Sequence, residues 1–206
     1  FRYTEETATG AQSRASGHTG AFVGEGSVVF TYLLLYEVTG EERFLAWAKR
    51  HGEIVESMWE TETSMDYLSG LAGAATVFAK LFRVSGEKRY LETAVRMGEG
   101  IWERCDAMEV GRGWRLLEGV EPLAGIAHGN SGLILAFGCL LELTEDMRYV
   151  ERIKELLAHE DSLYENGNWK DLRHPQGQRF CNNAWCHGAA GILLSRLRLK
   201  RCGFPD

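Results

Sequence analysis

The sequence predicts an all-α fold of repeated helical hairpins, and three observations carry the prediction. A glycine-led segment recurs along the 206 residues, beginning at Gly24, Gly70, Gly129 and Gly188, with offsets of 46, 59 and 59 residues. Within each copy the apolar residues fall at i, i+3 and i+4, the period of a helix with one buried face. Only three prolines occur, Pro122, Pro175 and Pro205, all outside the periodic segments, so nothing breaks the helices.

Taken in order, each full copy reads as two helices. The first, inner helix follows the glycines. It carries Val28, Val29, Tyr32, Leu33 and Tyr36 in copy one, Val77, Phe78, Leu81 and Phe82 in copy two, and Leu133, Ile134, Phe137, Leu140 and Leu141 in copy three. A turn follows at Thr39-Gly40, Ser85-Gly86 and Glu145-Asp146. The second, outer helix then shows Phe44, Leu45 and Ala48, or Tyr90, Leu91, Ala94, Met97 and Ile101, with Glu and Lys between them. The fourth copy opens with Gly188-Ala189-Ala190-Gly191 and reaches the last residue, Asp206, within its first helix. The unequal offsets place insertions in loops between copies, and a short hairpin around residues 111–117 is compatible with this scheme. The opening glycines of the inner helices allow close backbone approach, either for helix packing or for a ligand. Four inner helices alternating with outer ones predict a helical toroid or solenoid.

Composition narrows the function classes. Charged residues make up 25% and the net charge is -6, so no basic stripe exists to neutralise nucleic-acid phosphates. The longest apolar stretch, Gly132 to Leu141, is too short for a transmembrane segment. The opening Phe1-Arg2-Tyr3-Thr4-Glu5-Glu6 lacks a basic region followed by an apolar one, so no signal peptide is expected; the missing initiator Met points to an excised segment. The five cysteines, Cys105, Cys139, Cys181, Cys186 and Cys202, are an odd number without a secretory signal, which fits a reducing, cytoplasmic location. Cys139 lies in an apolar helical pattern and reads as a buried small hydrophobe.

The residues that break the repeat are the candidates for chemistry. The position before the leading glycine holds Val23, Ser69, His128 and His187 in the four copies, and Cys186 precedes His187. A cysteine and two histidines converging at the inner-helix ends make a metal or acid–base centre; the plain alternative is that each histidine is a cap or loop residue. Asp66, four residues before Gly70, reads by itself as an N-cap of the second inner helix.

Four stretches resemble the lanthionine synthetase C-like cyclases. Pro122-Leu123-Ala124-Gly125-Ile126-Ala127-His128-Gly129-Asn130-Ser131-Gly132 is similar to that family's HGxxG motif. Ala184-Trp185-Cys186-His187-Gly188-Ala189-Ala190-Gly191-Ile192 resembles its Trp-Cys zinc motif, the most specific of the four. Met65-Asp66-Tyr67-Leu68-Ser69-Gly70-Leu71-Ala72-Gly73 resembles its aspartate-bearing inner helix. Asn168-Trp169-Lys170-Asp171-Leu172-Arg173 resembles the stretch before the zinc motif and leans toward the cyclase half of LanM-type bifunctional synthetases. The resemblance covers essentially the whole chain in register with the repeats.

The resemblance implies a partial α/α toroid, about four of seven inner helices, forming one incomplete cyclase domain over residues 1–206. It implies lanthipeptide biosynthesis: zinc-dependent addition of peptide cysteine thiolates to dehydroalanine or dehydrobutyrine, giving thioether rings. Of three zinc ligands it assigns one to Cys186; the other two, an adjacent Cys-His pair of a later inner helix, are not among these 206 residues, so the isolated chain is expected to be inactive. Cys181 and His187 lie near Cys186 but at positions the family does not use as ligands. His128 matches the position proposed for the acid–base histidine and Asp66 a second active-site position. The implied partners are a dehydrated precursor peptide and the rest of the synthetase chain, with self-association of the exposed edges.

Two other readings compete. An α/α toroid acting on sugars needs paired carboxylates at the ring centre, where Asp66 is the only acidic candidate. A non-catalytic helical-repeat module that binds peptides accounts for the same repeats without a reaction.

Overall fold

The computed structural model describes residues 17–116, 118–173, 183–202 and 204. The repeats fold as expected into a two-layered arc of helical hairpins, a partial α/α toroid. Inner helices are α1 (Glu25–Thr39), α3 (Leu71–Ser85), α5 (Asn130–Thr144) and α7 (Ala189–Arg201). Outer helices are α2 (Glu42–Met58), α4 (Lys88–Glu103) and α6 (Arg148–Ser162). Each outer helix packs on the inner helix before it, and the inner helices pack side by side in the order α1, α3, α5, α7.

Each boundary has a local cause. The leading glycines Gly24, Gly70, Gly129 and Gly188 are the N-cap residues, and none of these helices has a side-chain cap. At the other end, Gly40 and Gly86 adopt left-handed backbone with φ of 70° and 73°, and their amides bond back to Tyr36 and Phe82. That is the usual way to close a helix. The third copy uses Glu145 in the same conformation, φ 56°.

The outer helices are amphipathic. Helix α4 buries Tyr90, Ala94, Met97 and Ile101, and α2 buries Phe44, Leu45, Ala48 and Val55. The inner helices are apolar on most sides because neighbours flank them; α3 buries nine of its 15 residues. One core of buried residues runs from Val29 through Phe78, Phe137 and Ile153 to Leu199, joining all four copies.

The insertions lie between copies. Strands β1 (Asp106–Ala107) and β2 (Arg112–Gly113) pair antiparallel in the α4–α5 connection, slightly earlier than the expected hairpin; Leu117 lies outside the described residues. Strands β3 (Tyr164–Glu165) and β4 (Asn168–Trp169) pair around Asn166-Gly167, both at positive φ, as a two-residue hairpin turn requires. On the concave side of the arc, Phe30, Tyr67, Leu135, Cys139 and Arg198 help to line a cavity of about 400 Å³.

Candidate active site

The loops that precede the inner helices are tied to one another. Residues two before each leading glycine are Phe22, Leu68, Ala127 and Cys186. The Phe22 amide donates to the Leu68 carbonyl at 3.0 Å, the Leu68 amide to Ala127 at 3.2 Å, and the Ala127 amide to Cys186 at 3.0 Å. Equivalent residues of successive copies thus form a hydrogen-bonded chain around the inside of the arc. The second glycine of each Gly-x-x-Gly makes the approach possible. A Cβ on Gly73 would lie 2.4 Å from the Ala21 nitrogen, one on Gly132 2.7 Å from the Tyr67 Cβ, and one on Gly191 3.3 Å from Ile126, each a residue of the preceding copy. These glycines serve close packing of loop against helix end.

This scaffold sets Asp66, His128 and Cys186 in the loops at the same end of three successive inner helices, α3, α5 and α7. Asp66 is 1% exposed. It sits in the loop before α3, not on the helix, and it is not the N-cap residue, which is Gly70. Its Oδ1 accepts the amides of Ser69 at 2.7 Å and Gly70 at 3.1 Å, while Oδ2 lies 2.6 Å from His128 Nδ1. Burial pushes the Asp66 carboxyl up, but the bonds from His128 and the Ser69 amide outweigh it and leave it below its ordinary value of 3.8. An ionised carboxylate only accepts, so Nδ1 carries the proton and the lone pair of neutral His128 is on Nε2.

Beside this pair stands His187, which the repeat alignment set at the position equivalent to His128. The His187 ring stacks on His128, centroids 5.5 Å apart and planes 26° from parallel. Burial, then the charges of Arg173 and His128, push His187 down to about 4, so it is neutral at physiological pH. Its Nδ1 is buried with no hydrogen-bond partner among the described residues. Asp171 holds Arg173 in a fork at 2.9 and 2.6 Å, close enough for the guanidinium charge to be felt at His187. Behind the loops, fully buried Glu160 of α6 lies 2.5 Å from Ser131 Oγ and 2.8 Å from Arg196, tying α5 and α7 to the outer layer. Neither the stack nor this acid stood out in the sequence, because each rests on residues far apart in the chain.

Cys186 is a half-buried free thiol. A thiol at this place, beside a neutral imidazole, fits one corner of a tetrahedral zinc site. Among the described residues no group of three His, Cys, Asp or Glu converges to complete it, and Cys181 lies outside them. Chemically, the arrangement offers a carboxylate-oriented histidine that can take up and release a proton at Nε2, with a free thiol in the neighbouring loop.

The model of one protein family, the lanthionine synthetase C-like proteins, matches residues 2–205. The Lacticin 481/lactococcin biosynthesis protein LcnDR2 of Lactococcus lactis subsp. lactis is 34% identical over 77 residues, which are 37% of this chain and 8% of that protein. Among solved structures, an α-1,6-mannanase of Salegentibacter sp. HEL1_6 superposes with a TM-score of 0.61 at 14% identity, covering 90% of this chain and 58% of its own. A cellobiose 2-epimerase from Bacillus thermoamylovorans B4167 gives 0.59 at 13%, covering 88% and 55%. These two likenesses concern the fold alone. A nisin cyclase covers 98% of this chain and 70% of its own, at a TM-score of 0.47 and 13% identity.

Proposed function

The chain belongs to the lanthionine synthetase C-like family, and on that premise we propose that it is part of a cyclase that closes thioether rings in a dehydrated precursor peptide. The observation that carries the reading is the buried Asp66 carboxylate 2.6 Å from His128 Nδ1, one repeat from the Cys186 loop. The substrate supplies a cysteine thiol and a dehydrated Ser or Thr. Sulfur adds to the β-carbon, the C=C pair moves onto the carbonyl as an enolate, and the α-carbon then takes a proton. His128 is the proton carrier: its Nε2 takes up the proton that the thiol loses, Asp66 fixes Nδ1–H and stabilises the imidazolium so formed, and Nε2–H then delivers the proton to the α-carbon. Zinc bound with Cys186 as one ligand would supply the ionised thiol, since coordination deprotonates thiols near neutral pH. The sugar-enzyme alternative rests on likenesses of fold alone, and the carboxylate that it would need at the site end, Asp66, is engaged by His128.

The parent protein on this reading is a LanM-type bifunctional synthetase in the cytoplasm. The length of LcnDR2 fits a longer parent, since the 77 matched residues are only 8% of it. The test uses the full-length protein and a dehydrated precursor peptide, with free thiols alkylated and counted by mass spectrometry. Thiols should disappear without change in peptide mass; peptide that stays fully alkylatable would end the cyclase reading.

A further inference from the structure

We propose that His187 is a positioning residue, whose ring face holds the proton-carrying His128 in its working orientation; the proposal rests on the cyclase reading for its kinetic consequence. The backbone brings the two rings together. The Ala127 amide donates to the Cys186 carbonyl at 3.0 Å, which sets the next residues of the two loops, His128 and His187, side by side. Gly125 makes room: its φ is +101°, and a Cβ there would lie 2.8 Å from the Cys186 oxygen and 2.9 Å from the His187 Cα.

The rings then meet at 5.5 Å and 26°, within the range of favourable aromatic pairs. His128 needs such a support. Its side chain is 24% exposed, and its bond to Asp66 anchors one edge of the ring through one atom. A single bond at Nδ1 leaves the imidazole able to tilt about that atom and swing Nε2 away from the α-carbon. A ring lying against its face blocks that tilt. The His187 Nδ1 takes no part in holding it, since that atom has no partner among the described residues. Of the four copies only the third and fourth carry rings at this position; Val23 and Ser69 stand at the others.

The experiment compares His187→Ala and His187→Phe in the full-length protein, with the dehydrated peptide as substrate and zinc content measured. His187→Ala should lower kcat by about 10- to 100-fold, the cost of small misplacements of a reacting group, with KM within about twofold and zinc unchanged. His187→Phe, which keeps a ring face and loses both nitrogens, should stay within about threefold of the wild type, as expected if only positioning is at stake. Histidine-labelled protein gives a readout independent of turnover. The low-field Nδ1–H proton resonance of the Asp66–His128 bond, assigned by its loss in His128→Asn, should persist in His187→Phe and broaden or vanish in His187→Ala. Unchanged kcat in His187→Ala overturns the proposal, and so does a His187→Phe variant as impaired as His187→Ala. If His187→Ala does not fold, His187→Phe decides by its rate and resonance. A wild type that closes no rings would sink the cyclase reading, and the resonance would still decide whether His187 holds His128.

Discussion

Asp66 shows how one carboxylate can serve the fold and the site together. Its Oδ1 gathers the Ser69 and Gly70 amides ahead of α3, while Oδ2 faces His128. Asp66→Asn keeps the acceptor at Oδ1 but loses the charge that stabilises the imidazolium, so ring closure should fall by about 100-fold or more with zinc content intact. Its pH dependence has a defined sign. The folded carboxyl lies below 3.8, so its contribution to stability is present above that value and is lost as pH falls through the lower folded one. Acid unfolding should therefore be steeper below pH 3.8 in the wild type than in Asp66→Asn; parallel acid limbs would contradict this. The other two candidates separate binding from proton transfer. Cys186→Ala should remove both zinc and cyclisation, while His128→Asn should retain zinc and lose ring closure; metal analysis beside the alkylation assay checks both. His128 and Cys186 were legible in the sequence because they interrupt a repeat that supplies its own alignment, whereas Asp66 was marked only by its resemblance to a family motif and read by itself as an N-cap. His187 stood at an aligned position too, yet its contact with His128 depends on Gly125 and on a backbone bond between loops, which no spacing within the chain encodes.

The helices were legible for a related reason: an apolar face of period 3.6 is a local pattern, and the glycines that end it act within one turn. Inner helices begin at the residue after each leading glycine, and outer ones two or three residues beyond Gly40, Gly86 and Glu145. The short strands were less legible, since two-residue pairs have no periodicity to read. The glycines differ in what they tolerate. A Cβ on Gly132 would stand 2.4 Å from the Ile126 oxygen and 2.7 Å from the Tyr67 Cβ, so Gly132→Ala forces two loops apart and should cost about 3 kcal/mol. Gly40 has open space around it and only its left-handed φ to defend, so Gly40→Ala should cost about 1 kcal/mol. The third copy inverts the case. Glu145 holds φ 56° where its counterparts are glycine, and Glu145→Gly should raise stability by about 0.5–1 kcal/mol. Urea midpoints rank all three, and equal effects of Gly132→Ala and Gly40→Ala would refute the crowding argument.

At the scale of the molecule, the arc has two edges, and among the described residues each carries apolar side chains with no neighbour of the kind that covers the inner helices between them. On α1, Leu34 and Val38 are 42% and 85% exposed; on α7, Leu193, Leu194 and Leu197 are each about half exposed. Helices α3 and α5, flanked on both sides, bury the corresponding faces. Apolar surface of this kind associates in water. The 206-residue chain expressed alone should therefore self-associate, with light scattering showing a mass that rises with concentration. Replacing Leu193, Leu194 and Leu197 by polar residues should bring that mass down toward one chain. The same isolated chain should hold zinc weakly, because tight binding needs several donors acting on one pre-organised centre, and among the described residues Cys186 stands without a converging set of three. The two expectations share a cause: the neighbours that cover an inner helix in the middle of the arc also bring further loops to the site end. A monodisperse monomer with one tightly held zinc per chain would contradict both. It would make the exposed leucines harmless in isolation, and it would assign ligand roles to His187 or Cys181 beside Cys186.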